Sequence, residues 1–130
     1  MNIGFYTNRQ SELSKQIKHL KQFLEEKLPQ TVFECFEEYE MFQEYSSKYS
    51  WNIIYYDAAG TEPETAKEHL QEIKENYPKA VLVIVSENVD LALFGYSVRA
   101  FDYLMDPLEE MFLVDSMERI IREEFPDMIG

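Results

Sequence analysis

Apolar and polar positions along this chain alternate between two kinds of segment. Residues 2–6 (Asn-Ile-Gly-Phe-Tyr) form a short apolar run. Polar Thr7, Asn8 and Arg9 follow, and then Leu13, Ile17, Leu20 and Leu24 recur at steps of four, three and four. The first pattern predicts a strand and the second an amphipathic helix, because a helix brings a residue back to the same face after three or four positions. Pro29 stops that helix, and residues 31–36 supply β-branched and aromatic side chains over a strand-length window. A second helix is expected over 37–49, with Tyr39, Phe42, Tyr45 and Tyr49 as an aromatic stripe that core packing explains. Residues 51–56 are nearly all apolar and end abruptly at Asp57, the pattern of a strand covered on both faces. After a loop to Pro63, Ala66, Leu70, Ile73 and Tyr77 mark a third helix closed by Pro78. The unbroken run Ala80 to Val85 then predicts a strand ending at Ser86. A short helix over 89–98, a fifth strand over 101–105 and a last amphipathic helix starting just after Pro107 complete the chain.

Strand and helix thus alternate five times, without internal repeats or low-complexity stretches. At this spacing each connection must be a right-handed crossover onto a parallel sheet, which gives a doubly wound α/β domain. The commonest five-stranded solution is flavodoxin-like, a three-layer αβα sandwich with strand order 2-1-3-4-5. The domain is expected over residues 1–124, with 125–130 as a tail or the start of a linker. Chemistry in such folds gathers at the carboxyl ends of the strands. The candidate site residues are therefore Thr7 and Asn8, Asp57, Ser86 and Asp106.

Charge narrows the partners. Lys plus Arg number 12 against 25 Asp plus Glu, a formal charge of −13 on 130 residues, so a polyanion such as nucleic acid is repelled by the average field. Residues 1–30 nevertheless carry five bases against three acids, whereas residues 91–130 carry three against nine. With 45% hydrophobic and 15% aromatic residues, the chain has enough apolar surface to fold despite its acidity. Cys35 is the lone cysteine and has no metal-ligand partner at a suitable spacing, so a reducing, cytoplasmic setting is expected and Cys35 should be a small buried hydrophobe. The longest apolar run is far below the ~20 residues of a membrane span, and neither export nor membrane contact is expected. His19 and His69 lie among charged residues on helices and are expected at the surface.

A carboxylate at the end of a buried strand, with a hydroxyl at the end of its neighbour, suits phosphoryl transfer to the carboxylate. In that reading Asp57 is the nucleophile and Ser86 donates a hydrogen bond to the phosphoryl oxygens; as a plain alternative, Ser86 caps the following helix. Trp51-Asn-Ile-Ile-Tyr-Tyr-Asp57, Val83-Ile-Val-Ser86 and above all Ala100-Phe-Asp-Tyr-Leu-Met-Asp-Pro107 resemble the receiver domains of bacterial two-component response regulators. The last segment is similar to receivers of the LytTR class of transcription regulators, which read Ala-Phe-Asp-Tyr-Leu, an apolar residue, then Lys-Pro.

The resemblance implies Asp57 as phosphoacceptor, Ser86 as the hydroxyl ligand of the phosphoryl group and Tyr103 as the aromatic switch of the fifth strand. It also implies departures: Thr7 and Asn8 stand where the family has an acidic pair for Mg²⁺, and Asp106 where it has a lysine. Neutral Thr7 and Asn8 leave Asp57 at best a weak metal ligand. A carboxylate at position 106 would repel a phosphoryl group by roughly 1 to 4 kcal/mol. On these residues the pocket holds two mutually repelling acids, Asp57 and Asp106, with no compensating cation from Thr7 or Asn8.

The expected function is a signalling module rather than an enzyme: an atypical receiver, or pseudo-receiver, acting through protein contacts, either as the N-terminal domain of a transcription regulator or as a stand-alone descendant of one. No cofactor is expected, and Mg²⁺ only if the alternative of a conventional phosphorelay receiver phosphorylated on Asp57 holds. The expected partners are a sensor histidine kinase or another signalling protein, and a second copy of the chain through the surface of the fourth helix, fifth strand and fifth helix. That surface should expose several of Leu91, Leu93, Phe94, Tyr96, Met111 and Phe112. A flavin or nucleotide binder is disfavoured because no Gly-rich phosphate loop follows the first strand.

Overall fold

The computed structural model describes residues 1–128; the last two positions of the expected tail, 129 and 130, lie outside the described residues. Five strands, β1 (Asn2–Tyr6), β2 (Val32–Phe36), β3 (Ile53–Asp57), β4 (Val81–Ser86) and β5 (Asp102–Met105), alternate with α1 (Ser14–Lys27), α2 (Tyr39–Ser46), α3 (Pro63–Asn76), α4 (Val89–Ser97) and α5 (Phe112–Glu124). All ladders are parallel, and the sheet order is β2-β1-β3-β4-β5, as the alternation requires. The order in which strands are added to the sheet reverses between β1 and β3, so the loops that follow these two strands open into one crevice.

The pleat divides the sheet's side chains between two cores. Ile3, Phe5, Ile53, Tyr55, Val83 and Val85 face α1 and α5, meeting Leu20, Leu24, Met117 and Ile120. Tyr6, Ile54, Tyr56, Leu82 and Ile84 face the other way, against Phe42 of α2, Leu70 and Ile73 of α3 and Leu91 of α4. Every residue of β3 is buried. Inside the α1/α5 core, the Tyr55 hydroxyl is paired with Ser116 Oγ at 2.6 Å, which satisfies the one polar atom that this ring carries into the interior.

Several boundaries differ from expectation. Helix α2 ends at Ser46, and Tyr49 stays on the aromatic stripe from a turn, stacking on Tyr45 and Trp51. Pro107 does not open α5. Leu108 is buried as an anchor, a turn follows, and the helix begins at Phe112. Beyond α5, Phe125 packs on the core and Pro126–Met128 form a 3-10 turn. Cys35 is half-buried because β2 is an edge strand, and burial pushes its thiol up to about 11, so it remains protonated at neutral pH.

His69 also departs from expectation. It is half-buried rather than solvated, with its ring stacked on Tyr39 at 3.5 Å and Nδ1 2.7 Å from the Tyr56 hydroxyl. Tyr6 meets the same ring edge-on, and the carboxylates nearby are Glu72 and Glu68 of its own helix. Burial lowers the His69 pKa below 6.5, and the two glutamates only partly oppose it. The unfolded chain therefore takes up this proton first as pH falls, so His69 supports stability above the unfolded value and costs stability below it. The wild-type protein should lose more unfolding free energy than His69→Gln between about pH 7.5 and 5.5, and the imidazole should titrate by NMR with a midpoint below 6.5. Equal losses in the two proteins would contradict this placement.

Candidate functional site

The carboxyl ends of β1, β3, β4 and β5 converge on Asp57. Its side chain is 0% exposed, as is that of Thr7 at the end of β1. A buried carboxylate must be compensated, and four donors do so. The Thr7 hydroxyl and Arg9 Nε each donate to Oδ2 at 2.7 Å. Arg9 Nη2 and the Ala59 backbone N–H each donate to Oδ1 at 3.1 Å. A carboxylate offers about four lone-pair sites, so the acceptor capacity of Asp57 is filled.

Arg9 also reaches a second acid. Its Nη2 donates to Asp106 Oδ1 at 2.6 Å, so one nitrogen serves both carboxylates. The two acids do lie at the same edge of the sheet, but they do not face each other uncompensated. Arg9 stands between them, which corrects the expectation of a pocket without a cation. Burial alone would lower the Arg9 pKa; the hydrogen bonds to Asp57 and Asp106 outweigh it and raise the pKa, so the guanidinium is charged at any working pH.

Local structure fixes this geometry. The Thr7 hydroxyl accepts from the Arg9 backbone N–H at 3.2 Å, and the Arg9 carbonyl accepts from Leu13 N–H at 3.1 Å, which ties the loop to the start of α1. Asn8 between them is exposed and lies against the loop after β3: Gly60 has φ +76°, and a Cβ there would come within 2.9 Å of the Asn8 amide. The exposed Asn8 side chain could swing away from a Cβ, so it is the left-handed φ of Gly60 that favours a residue without a side chain here.

The remaining candidates surround this centre without touching Asp57. Ser86 is buried at the end of β4, and its hydroxyl accepts from Asn88 N–H at 2.9 Å. The cap of α4 is Asn88, which accepts from Asp90 N–H, so Ser86 steadies the turn before the cap. Tyr103 on β5 donates its hydroxyl to the Asn88 carbonyl at 2.5 Å. The Asp106 backbone N–H donates to the Ser86 carbonyl at 3.2 Å, linking this turn back to the arginine's second partner. Arg9 is the functional residue that the sequence reading passed over. Its only sequence signal is a base next to Thr7 and Asn8 at a strand end.

No family model matches the chain, and no curated protein matches it. Solved structures do. A response regulator from Thermotoga maritima superposes with a TM-score of 0.73 at 16% identity, over 94% of this chain and 98% of that one. The isolated REC domain of RcsB from Salmonella enterica serovar Typhimurium, determined in the presence of phosphomimetic BeF3⁻, gives 0.74 at 12% identity over 100% and 99%. The orphan response regulator HP1043 of H. pylori gives 0.71 at 16% over 92% and 94%.

The chain has the receiver fold. Within it, Asp57, Ser86, Tyr103 and Asp106 lie on or beside the carboxyl ends of β3, β4 and β5, and the Arg9 guanidinium joins Asp57 to Asp106. Among the described residues, no group of three or more His, Cys, Asp or Glu is arranged to hold a metal ion. No helix among them is long and apolar enough to cross a membrane.

Removing the cation should expose the cost of the buried charge. Arg9→Met is expected to lower stability by about 3–5 kcal/mol at neutral pH, because it leaves Asp57 buried and unpaired. In an Asp57→Asn background the same change should cost far less, with a coupling energy of about 2 kcal/mol or more by urea unfolding. Additive effects would mean that the pair seen in the structure contributes nothing.

Proposed function

We propose that this chain is a signalling module of the receiver type that acts through protein contacts and does not take up a phosphoryl group at Asp57. The observation that carries the reading is the saturation of Asp57. An attack on a phosphodonor needs a free carboxylate oxygen lone pair, and all four sites already accept hydrogen bonds. The residues also fit Mg²⁺ poorly. That ion prefers carboxylate and phosphate oxygens in near-octahedral geometry, but Thr7 and Asn8 are neutral and the Asp57 oxygens face a guanidinium. Asp106, at the position where the resemblance puts a lysine, is paired to the same guanidinium and adds negative charge where a phosphoryl dianion would sit.

A surface for protein contact lies next to the pocket. Val89, Leu93 and Tyr96 line one face of α4, with Tyr96 83% exposed, and Met105 at the end of β5 is exposed as well. Of the expected apolar residues, Leu93, Tyr96 and Met111 are exposed, whereas Leu91 is core and Phe94 and Phe112 are half-buried. This face is our candidate for docking a second copy or another signalling protein, a sensor histidine kinase included. A cytoplasmic role in transcription regulation is the output that the LytTR-like segment 100–107 favours.

Beryllofluoride with Mg²⁺ tests the reading, since it mimics the phosphoryl group on a competent receiver. Wild-type protein should show no saturable NMR shifts at Asp57, Ser86 or Tyr103, and its sedimentation, with weak self-association, should be unchanged. Saturation at ordinary Mg²⁺ concentrations would overturn the proposal in favour of a conventional phosphorelay receiver.

A further inference from the structure

The position of Arg9 resembles that of a bound ion more than that of an ordinary surface arginine. A single nitrogen, Nη2, lies 3.1 Å from Asp57 Oδ1 and 2.6 Å from Asp106 Oδ1, and Nε closes the fork on Asp57 Oδ2. Asp57 is the last residue of β3, Asp106 follows β5, and Arg9 comes from the loop after β1. The side chain is 14% exposed and its backbone is held on both sides, by Thr7 and by Leu13.

A hard divalent cation bridging the two acids would need the space that Nη2 fills, since it too would bind carboxylate oxygens. The tethered guanidinium meets them at an effective concentration set by a three-carbon stem, of order mM or above, and free cations must compete against that. We infer that Arg9 is a built-in counter-cation that plugs the pocket against divalent metal, and that this plug, beyond the neutrality of Thr7 and Asn8, is what keeps the site silent. The inference deepens the proposed function and rests on it. It makes the loop after β1 an autoinhibitory element: with Arg9 withdrawn, Asp57 and Asp106 form a two-carboxylate cation site.

Mn²⁺ is the probe, read by paramagnetic broadening of the amides of residues 7–9, 57–59 and 106, and by the melting temperature with and without the ion. Arg9→Gln should bind Mn²⁺ about tenfold or more tighter than wild type, and the ion should raise its melting temperature while leaving wild type unchanged. Adding Asp106→Asn to Arg9→Gln should remove most of the gain. Arg9→Lys keeps the charge but loses the fork, and should fall between Arg9→Gln and wild type. Folded Arg9→Gln that binds Mn²⁺ no better than wild type overturns the inference and leaves the proposed function standing. If Arg9→Gln does not fold, Arg9→Lys decides: affinity equal to that of wild type overturns the inference. Wild-type protein that broadens at Asp57 and also responds to beryllofluoride overturns both.

Discussion

A carboxylate with no exposed surface has to be neutralised where it stands, and in this protein the rest of the pocket follows from how Asp57 is neutralised. The fold puts Asp57 at the end of a strand covered on both faces, where water cannot solvate it. Three polar solutions exist for such a group: protonation, a bound metal or a protein cation. The chain uses the third, a forked guanidinium from the adjacent strand end, and thereby consumes the lone pairs that a metal or an incoming phosphoryl group would need. Buried ion pairs stabilise little relative to apolar packing, but breaking one is costly. The pocket is therefore locked more than it is strengthened.

The same side chain joins loops that are far apart in sequence. Through Asp106 it meets the β5 end, whose backbone bonds the Ser86 carbonyl. The Ser86 hydroxyl holds Asn88, and Tyr103 bonds the Asn88 carbonyl. This run of contacts stops at the cap of α4, the helix that presents Val89, Leu93 and Tyr96 to solvent. The hydrogen-bonded network of the pocket thus reaches the cap of the helix that carries the apolar face.

The βα alternation, the sheet order and the shared edge of Asp57 and Asp106 were legible in the sequence. Hydrophobic periodicity and proline stops report these directly, and right-handed crossovers leave few topologies. Features that depend on tertiary surroundings were less visible. Pro107 reads as a helix start, yet Leu108 is drawn into the core first and delays α5 to Phe112. His69 reads as a surface residue because its neighbours in sequence are charged; its neighbours in space are three tyrosines. Arg9 shows the limit most clearly. A net charge of −13 hides a single base, and periodicity says nothing about how far a long side chain reaches across a sheet edge. Reading Thr7 and Asn8 as the whole of the first loop's contribution missed the residue beside them.

The most direct test of this account is the hydrogen exchange of the Arg9 Nε–H, followed by ¹⁵N NMR at neutral pH. An Nε–H buried against Asp57 Oδ2 should give a resolved, slowly exchanging resonance that disappears into the rapidly exchanging surface arginines when Asp57 is changed to Asn. An Arg9 signal that exchanges like those of the surface arginines in the wild-type protein would contradict the central claim that this guanidinium is the pocket's resident cation.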